Sequence, residues 1–84
     1  MRTFEKWYEL DGKKCLVVLD HELFDTQRYH CDRLQIINDL HRIGIVIKGK
    51  ELFMHKHKVK NFIVRDNVYM VEDDMMTITI VKKM

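Results

Sequence analysis

The chain contains no proline, only three glycines and two cysteines. It also has no apolar run near the roughly 18 residues that a membrane-spanning helix needs. Each scarcity removes a class. Without proline, internal repeats or low-complexity stretches there is no linker composition, so residues 1–84 read as a single domain. The opening MRTFEKWYEL lacks the apolar region of a signal peptide, which with the missing span predicts a cytoplasmic protein and no membrane partner. Cys15 and Cys31 show no CxxC spacing; a disulfide between them stays open, and two free buried thiols in a reducing compartment are the preferred reading. Charge is nearly balanced as well: 15 Lys and Arg against 13 Asp and Glu leave +2, less than a surface devoted to nucleic acid usually carries.

What is present is the composition of a globular domain, since 46% apolar and 33% charged residues exclude a disordered tail. A chain this short buries only about 60 to 65 per cent of its unfolded surface, enough for one sheet against one helical layer.

The stretch DHELFDTQRYHCDRLQIINDLHRIGIVI, residues 20–47, carries the pattern with helical spacing. Asp32 is placed as an N-cap, Gln35 completes a capping box, and Cys31 with Ile36 forms a hydrophobic staple. Ile36, Ile37, Leu40 and Ile43 then make an apolar stripe that Gly44 ends as a C' residue. The spacing predicts a helix over residues 33–43. Upstream, either Asp20 caps a separate helix over residues 21–30, or Thr26 caps one continuous helix reaching Ile43.

The remainder reads as strand and turn. Residues 4–10 and 13–19 flank Asp11-Gly12, a strong hairpin signal, and the apolar run CLVVL predicts an interior strand covered on both faces. Short extended pieces follow at residues 45–47 and 51–55. A meander closes the chain: VKNFIVR, VYMVE and MMTITIV, with turns at Asp66-Asn67 and Asp73-Asp74. In the last strand Ile78 and Ile80 share one face and Thr77 and Thr79 the other. The expected fold is α+β, a mostly antiparallel sheet of about five strands packed on one helical layer.

The segment KGKELFMHKHKVK sets Lys48, Lys50, Lys56, Lys58 and Lys60 against one acid, Glu51. Strand alternation would align Lys56, Lys58 and Lys60 on one face and His55 and His57 on the other. Such a lysine row fits a phosphate backbone, with Arg28 and Arg65 in support, and equally fits an edge strand guarded against aggregation. Glu72, Asp73 and Asp74 gather elsewhere, so a basic region faces an acidic partner, RNA or protein. His55-x-His57 is half a zinc site with no third ligand at convincing spacing, so no metal and no cofactor is expected. His21, His55 and His57 are the candidates for proton transfer in metal-independent RNA cleavage. Arg28, Lys56, Lys58 and Arg65 would steady the phosphate. Each of these histidines, taken singly, reads first as a half-exposed surface residue, and His41 as a helix C-terminal one. A protein-binding module would instead use Trp7, Tyr8, Met54, Tyr69 and Met70 as exposed anchors.

The strand before His21, Arg28, the cap Asp32, the apolar Ile36 and Leu40 and the closing Ile78-Thr79-Ile80-Val81 resemble a known group. It comprises small phage and bacterial proteins allied to RelE-like ribonuclease toxins, of the barnase/colicin/RelE fold. Members open with a strand, a histidine, an arginine-bearing helix and a second capped helix, and tend to close on Ile-Thr-Val-Tyr. Here Val81 stands at the closing tyrosine position, and the arginine stretch is thinned to Arg28 and Arg33. The resemblance implies an α+β scaffold and action on RNA or the ribosome. Two expectations follow, whether or not the chain is an enzyme. The first is a phage- or mobile-element-type protein acting on RNA or translation through its basic strand, as a ribonuclease if catalytic. The alternative is a non-enzymatic module that inhibits or modulates an acidic host protein. Pairing of edge strands would make a homodimer.

Overall fold

The computed structural model describes residues 4–83. They form eight strands: β1 (Cys15–His21), β2 (Phe24–Cys31), β3 (Gln35–Asn38), β4 (Arg42–Ile47), β5 (Lys50–His55), β6 (Asn61–Arg65), β7 (Val68–Glu72) and β8 (Met76–Lys82). Two short 3-10 segments, Glu5–Leu10 and Lys56–Lys58, complete the described chain. The strands make an antiparallel five-stranded sheet, β2-β1-β8-β7-β6, and an antiparallel three-stranded sheet, β3-β4-β5.

This overturns the α+β expectation, since no α-helix and no helical layer occurs among the described residues. Residues 21–30 are strand and turn, and residues 33–43 are a bend, β3, a turn and the start of β4. The reason is the density of β-branched residues: Ile36, Ile37, Ile43, Ile45, Val46 and Ile47 have restricted χ1 and pack best on a pleated surface. Asp39, inside the expected helix span, forms the turn between β3 and β4. Its Oδ1 accepts from the backbone N–H of His41 (3.1 Å) and Arg42 (2.8 Å). The Arg42 guanidinium, at 2.7 Å, holds its carboxyl below the usual carboxylate range. Leu40, counted in the apolar stripe, is 83% exposed in that turn. Gly44 terminates nothing. It lies inside β4, where a Cβ would collide with the Leu52 carbonyl oxygen and Phe53 Cα.

The N-terminal hairpin is also replaced. Residues 5–10 coil into a 3-10 helix that buries Trp7 and Leu10, and Gly12, at φ +74°, turns the chain into β1. Trp7 Nε1 donates to the Gly44 carbonyl (2.9 Å), and the rings of Phe4 and Trp7 meet Phe62 at 5.0 and 6.2 Å between centroids. Tyr8 Oη donates to the Asn38 carbonyl at 2.6 Å. The 3-10 helix therefore seals the sandwich along β3 and β6.

The closing meander forms as the alternation indicates, with Ile78 and Ile80 fully buried and Thr77 and Thr79 half-buried. β1 is interior to its sheet, but only Cys15, Val17 and Leu19 are buried, so one face is covered and not both. Cys15 stands opposite Cys31 across β1 and β2, both free, and burial pushes both thiols up from the ordinary value. The core joins the inner faces of both sheets, Val17, Tyr69, Val71, Ile78 and Ile80 against Ile43, Ile45 and Met54.

Candidate binding cleft

β2 and β5 end their sheets on the side away from the N-terminal 3-10 helix, and the space between them is a cleft of about 640 Å3. The β1–β2 register sets His21 opposite Phe24 and the β1–β8 register sets it opposite Met76, bringing two distant turns together. Leu19, Leu52 and Met76 form the apolar interior of the cleft, with Phe24, Phe53 and Met75 around it. Phe24 is 68% exposed, Met75 44% and the neighbouring Leu23 71%, an apolar cluster that no described element covers. Asp25, Glu51, Asp73, Lys48 and Lys50 supply a rim of both signs.

A second cleft of about 390 Å3 continues along β2 past Tyr29 and Lys48, which line both. Lys48 Nζ stands 5.4 Å above the Tyr29 ring, a cation–π contact that divides one cleft from the other. Arg28, His30 and Arg33 gather here with Asp32 as the one acid. The groove thus runs from an apolar, partly acidic end at Phe24 to a basic end at Arg28 and Arg33.

β2 forms the wall common to both clefts. It pairs with β1 alone among the described strands, and most of its eight residues are exposed. Its free edge therefore presents backbone donors and acceptors to the groove.

The candidate residues divide. His21 lines the larger cleft, where its Nδ1 accepts from the Leu23 N–H (3.0 Å) and its ring lies 5.0 Å from that of Phe24. His55 and His57 line neither cleft; their rings are 5.6 Å apart on the outside of the second 3-10 turn. The three histidines therefore do not converge on one phosphate position. The lysine row is not a strand either, because Lys56–Lys58 coils and the Lys56 N–H bonds the His41 carbonyl (2.8 Å). Lys60 pairs with Asp74 at 3.3 Å. Of the basic candidates Arg28 and Lys48 come together and Lys50 joins Lys48, whereas Lys56, Lys58, Lys60 and Arg65 line neither cleft. Among the expected exposed anchors, Trp7, Met54 and Tyr69 are core residues at 0 to 2% exposure. Tyr8 is exposed with its hydroxyl bonded, and Met70 is half-buried on the outer face of the large sheet.

Phe24, Tyr29, Arg33 and Met75 were not among the expected site residues. A local signal existed in the paired apolar residues Leu23-Phe24 and Met75-Met76 beside turn-forming acids, but their meeting depends on the β1–β8 register. Comparison with protein-family models, curated proteins and solved structures gives no match for this chain. No helix among the described residues is long and apolar enough to cross a membrane.

Proposed function

We propose that this chain is a non-catalytic protein-binding module that captures an extended, acidic segment of a partner along the free edge of β2. The supporting observation is the coincidence of an eight-residue unpaired strand edge with an apolar cleft at one end and a basic cleft at the other. A segment added as a further strand gains main-chain hydrogen bonds, and its alternate side chains enter the clefts. Burying one large apolar side chain against Phe24, Phe53 and Met75 contributes about 1.5 to 3 kcal/mol. Carboxylates further along meet Arg28 and Arg33, whereas Asp25 and Asp73 disfavour them at the other end, so charge fixes the direction of the bound strand. A single-stranded RNA is the second reading, favoured by the grouping of Arg28, His30, Arg33 and Lys48 around Tyr29.

Panning a random peptide library against the purified protein, then mapping the best binder by amide shifts and hydrogen exchange, tests the proposal. Enriched peptides should carry an apolar residue followed by acids, and β2 amides should gain protection. Phe24→Ala should weaken binding about tenfold, in line with the area lost. Binders that map away from β2 would refute strand addition. End-labelled RNA that binds with a steep salt dependence, relieved by Arg28→Ala with Lys48→Ala, would favour the second reading.

A further inference from the structure

The small sheet and the N-terminal 3-10 helix cover one face of the five-stranded sheet; the other carries an apolar field. Register defines its rows. Leu16, Val81 and Val68 stand side by side across β1, β8 and β7, flanked by His30 on β2 and Arg65 on β6. In the next row Val18, Thr79, Met70 and Ile63 run from β1 to β6, with Arg28 beside Val18. Ile63 is 49% and Val68 38% exposed, and the others are half-buried. The open face of an antiparallel sheet is ordinarily polar, and a contiguous apolar field across four strands marks an interaction surface.

Charge on this face is separated along the strands. One end holds His30, Arg65 and Lys83, with Lys83 Nζ 3.3 Å from His30 Nδ1. The other holds Asp20 and Glu72. Asp20 accepts from the Thr26 hydroxyl, and Glu72 from Asn61 Nδ2 (2.6 Å) and the Thr77 hydroxyl (3.0 Å). Both carboxylates are thus held in place on the third row.

We infer that this face is the interface of a homodimer in which two copies pack sheet against sheet about a two-fold axis running across the strands. Such an axis reverses strand direction, so the His30–Arg65 end of one copy lies over the Asp20–Glu72 end of its partner. The axis then passes over the Val18–Thr79–Met70–Ile63 row, which packs on itself, while Leu16, Val81 and Val68 lie over the partner's row centred on Thr77. A two-fold axis along the strands would set like charge on like. With strands about 4.8 Å apart and a rise of about 3.4 Å per residue, the face measures about 24 by 17 Å. Its side-chain relief brings the buried surface to roughly 600 Å2 per copy, the lower end of what specific interfaces use. The dimer is therefore reversible, and it leaves the larger cleft free; Arg28 and His30, which also line the smaller cleft, border the interface.

Sedimentation velocity of the full chain from about 1 to 500 µM tests this. The expected result is a concentration-dependent shift to twice the monomer mass, weakened by salt. Met70→Lys should leave a folded monomer, judged by circular dichroism and Trp7 emission, and Ile63→Lys, at a more exposed position, serves if Met70→Lys does not fold. Arg65→Glu and Glu72→Lys should each weaken the dimer about tenfold, and the double variant should regain most of that loss. A monomer at every concentration, a dimer indifferent to the lysine substitutions, or a double variant no tighter than either single one would overturn the inference. Capture of a different molecule on this face by a strictly monomeric chain would do the same.

Discussion

Tyr69 is buried among the aliphatic residues of both sheets, and its hydroxyl is its one polar atom. That hydroxyl donates to Glu9 Oε1 at 2.7 Å and lies 3.3 Å from Lys82 Nζ. Burial, and then the Glu9 carboxylate, push the phenol up to about 12. In the unfolded chain it returns to about 10. The folded value is the higher one, so the contribution is complete below pH 10 and is lost as pH rises through 12, where the unfolded chain releases a proton that the native one keeps. Thermal melts from pH 8 to 12 should fall more steeply for the native sequence than for Tyr69→Phe. At pH 7 the variant should be less stable by about 1 kcal/mol, the worth of the hydrogen bond. Parallel pH profiles would show that Tyr69 ionises alike in both states.

At the scale of elements, the C-terminal meander was legible and the central stretch was not, for a physical reason. In β6 to β8 the period-2 alternation and the acidic turns at Asp66-Asn67 and Asp73-Asp74 point the same way. Between Gln35 and Ile47 a strand, a tight turn and a second strand place Ile36, Ile37, Leu40 and Ile43 at spacings that imitate one helical face. The β-branched density argued for strand, and Gly44 argued for either. Its role separates the two: a helix terminator tolerates a methyl group poorly because of φ, whereas Gly44 excludes one because the β5 backbone passes too close. Gly44→Ala must push β5 away from β4 or tilt the Trp7 indole off the Gly44 carbonyl, costing about 3 kcal/mol or more. Urea unfolding followed by Trp7 emission measures this, and a midpoint within error of the native one would mean that the strands can separate freely. The cleft was harder to foresee than either element. Phe24 and Met75 meet through pairing across most of the chain, and nothing local to either residue encodes that.

At the scale of the whole molecule, that same pairing governs how the chain reaches its fold. β1 and β8 are central neighbours in the large sheet although residues 22–75 separate them. Loop closure must therefore be paid before the core is rewarded, which places folding in the millisecond-to-second range rather than in microseconds. The missing proline now has a kinetic consequence, because no X-Pro isomerisation is available to add a phase of tens of seconds. Stopped-flow refolding at about 1 µM, read from the burial of Trp7, should thus be a single exponential. At hundreds of micromolar a second, concentration-dependent phase should appear as the outer faces associate, and Met70→Lys should abolish it while leaving the first phase intact. A phase of tens of seconds at low concentration would contradict the kinetic argument, since neither proline nor association could supply it. A second phase that persists in Met70→Lys would instead assign association to another surface, such as the β2 edge, where two free strands could pair.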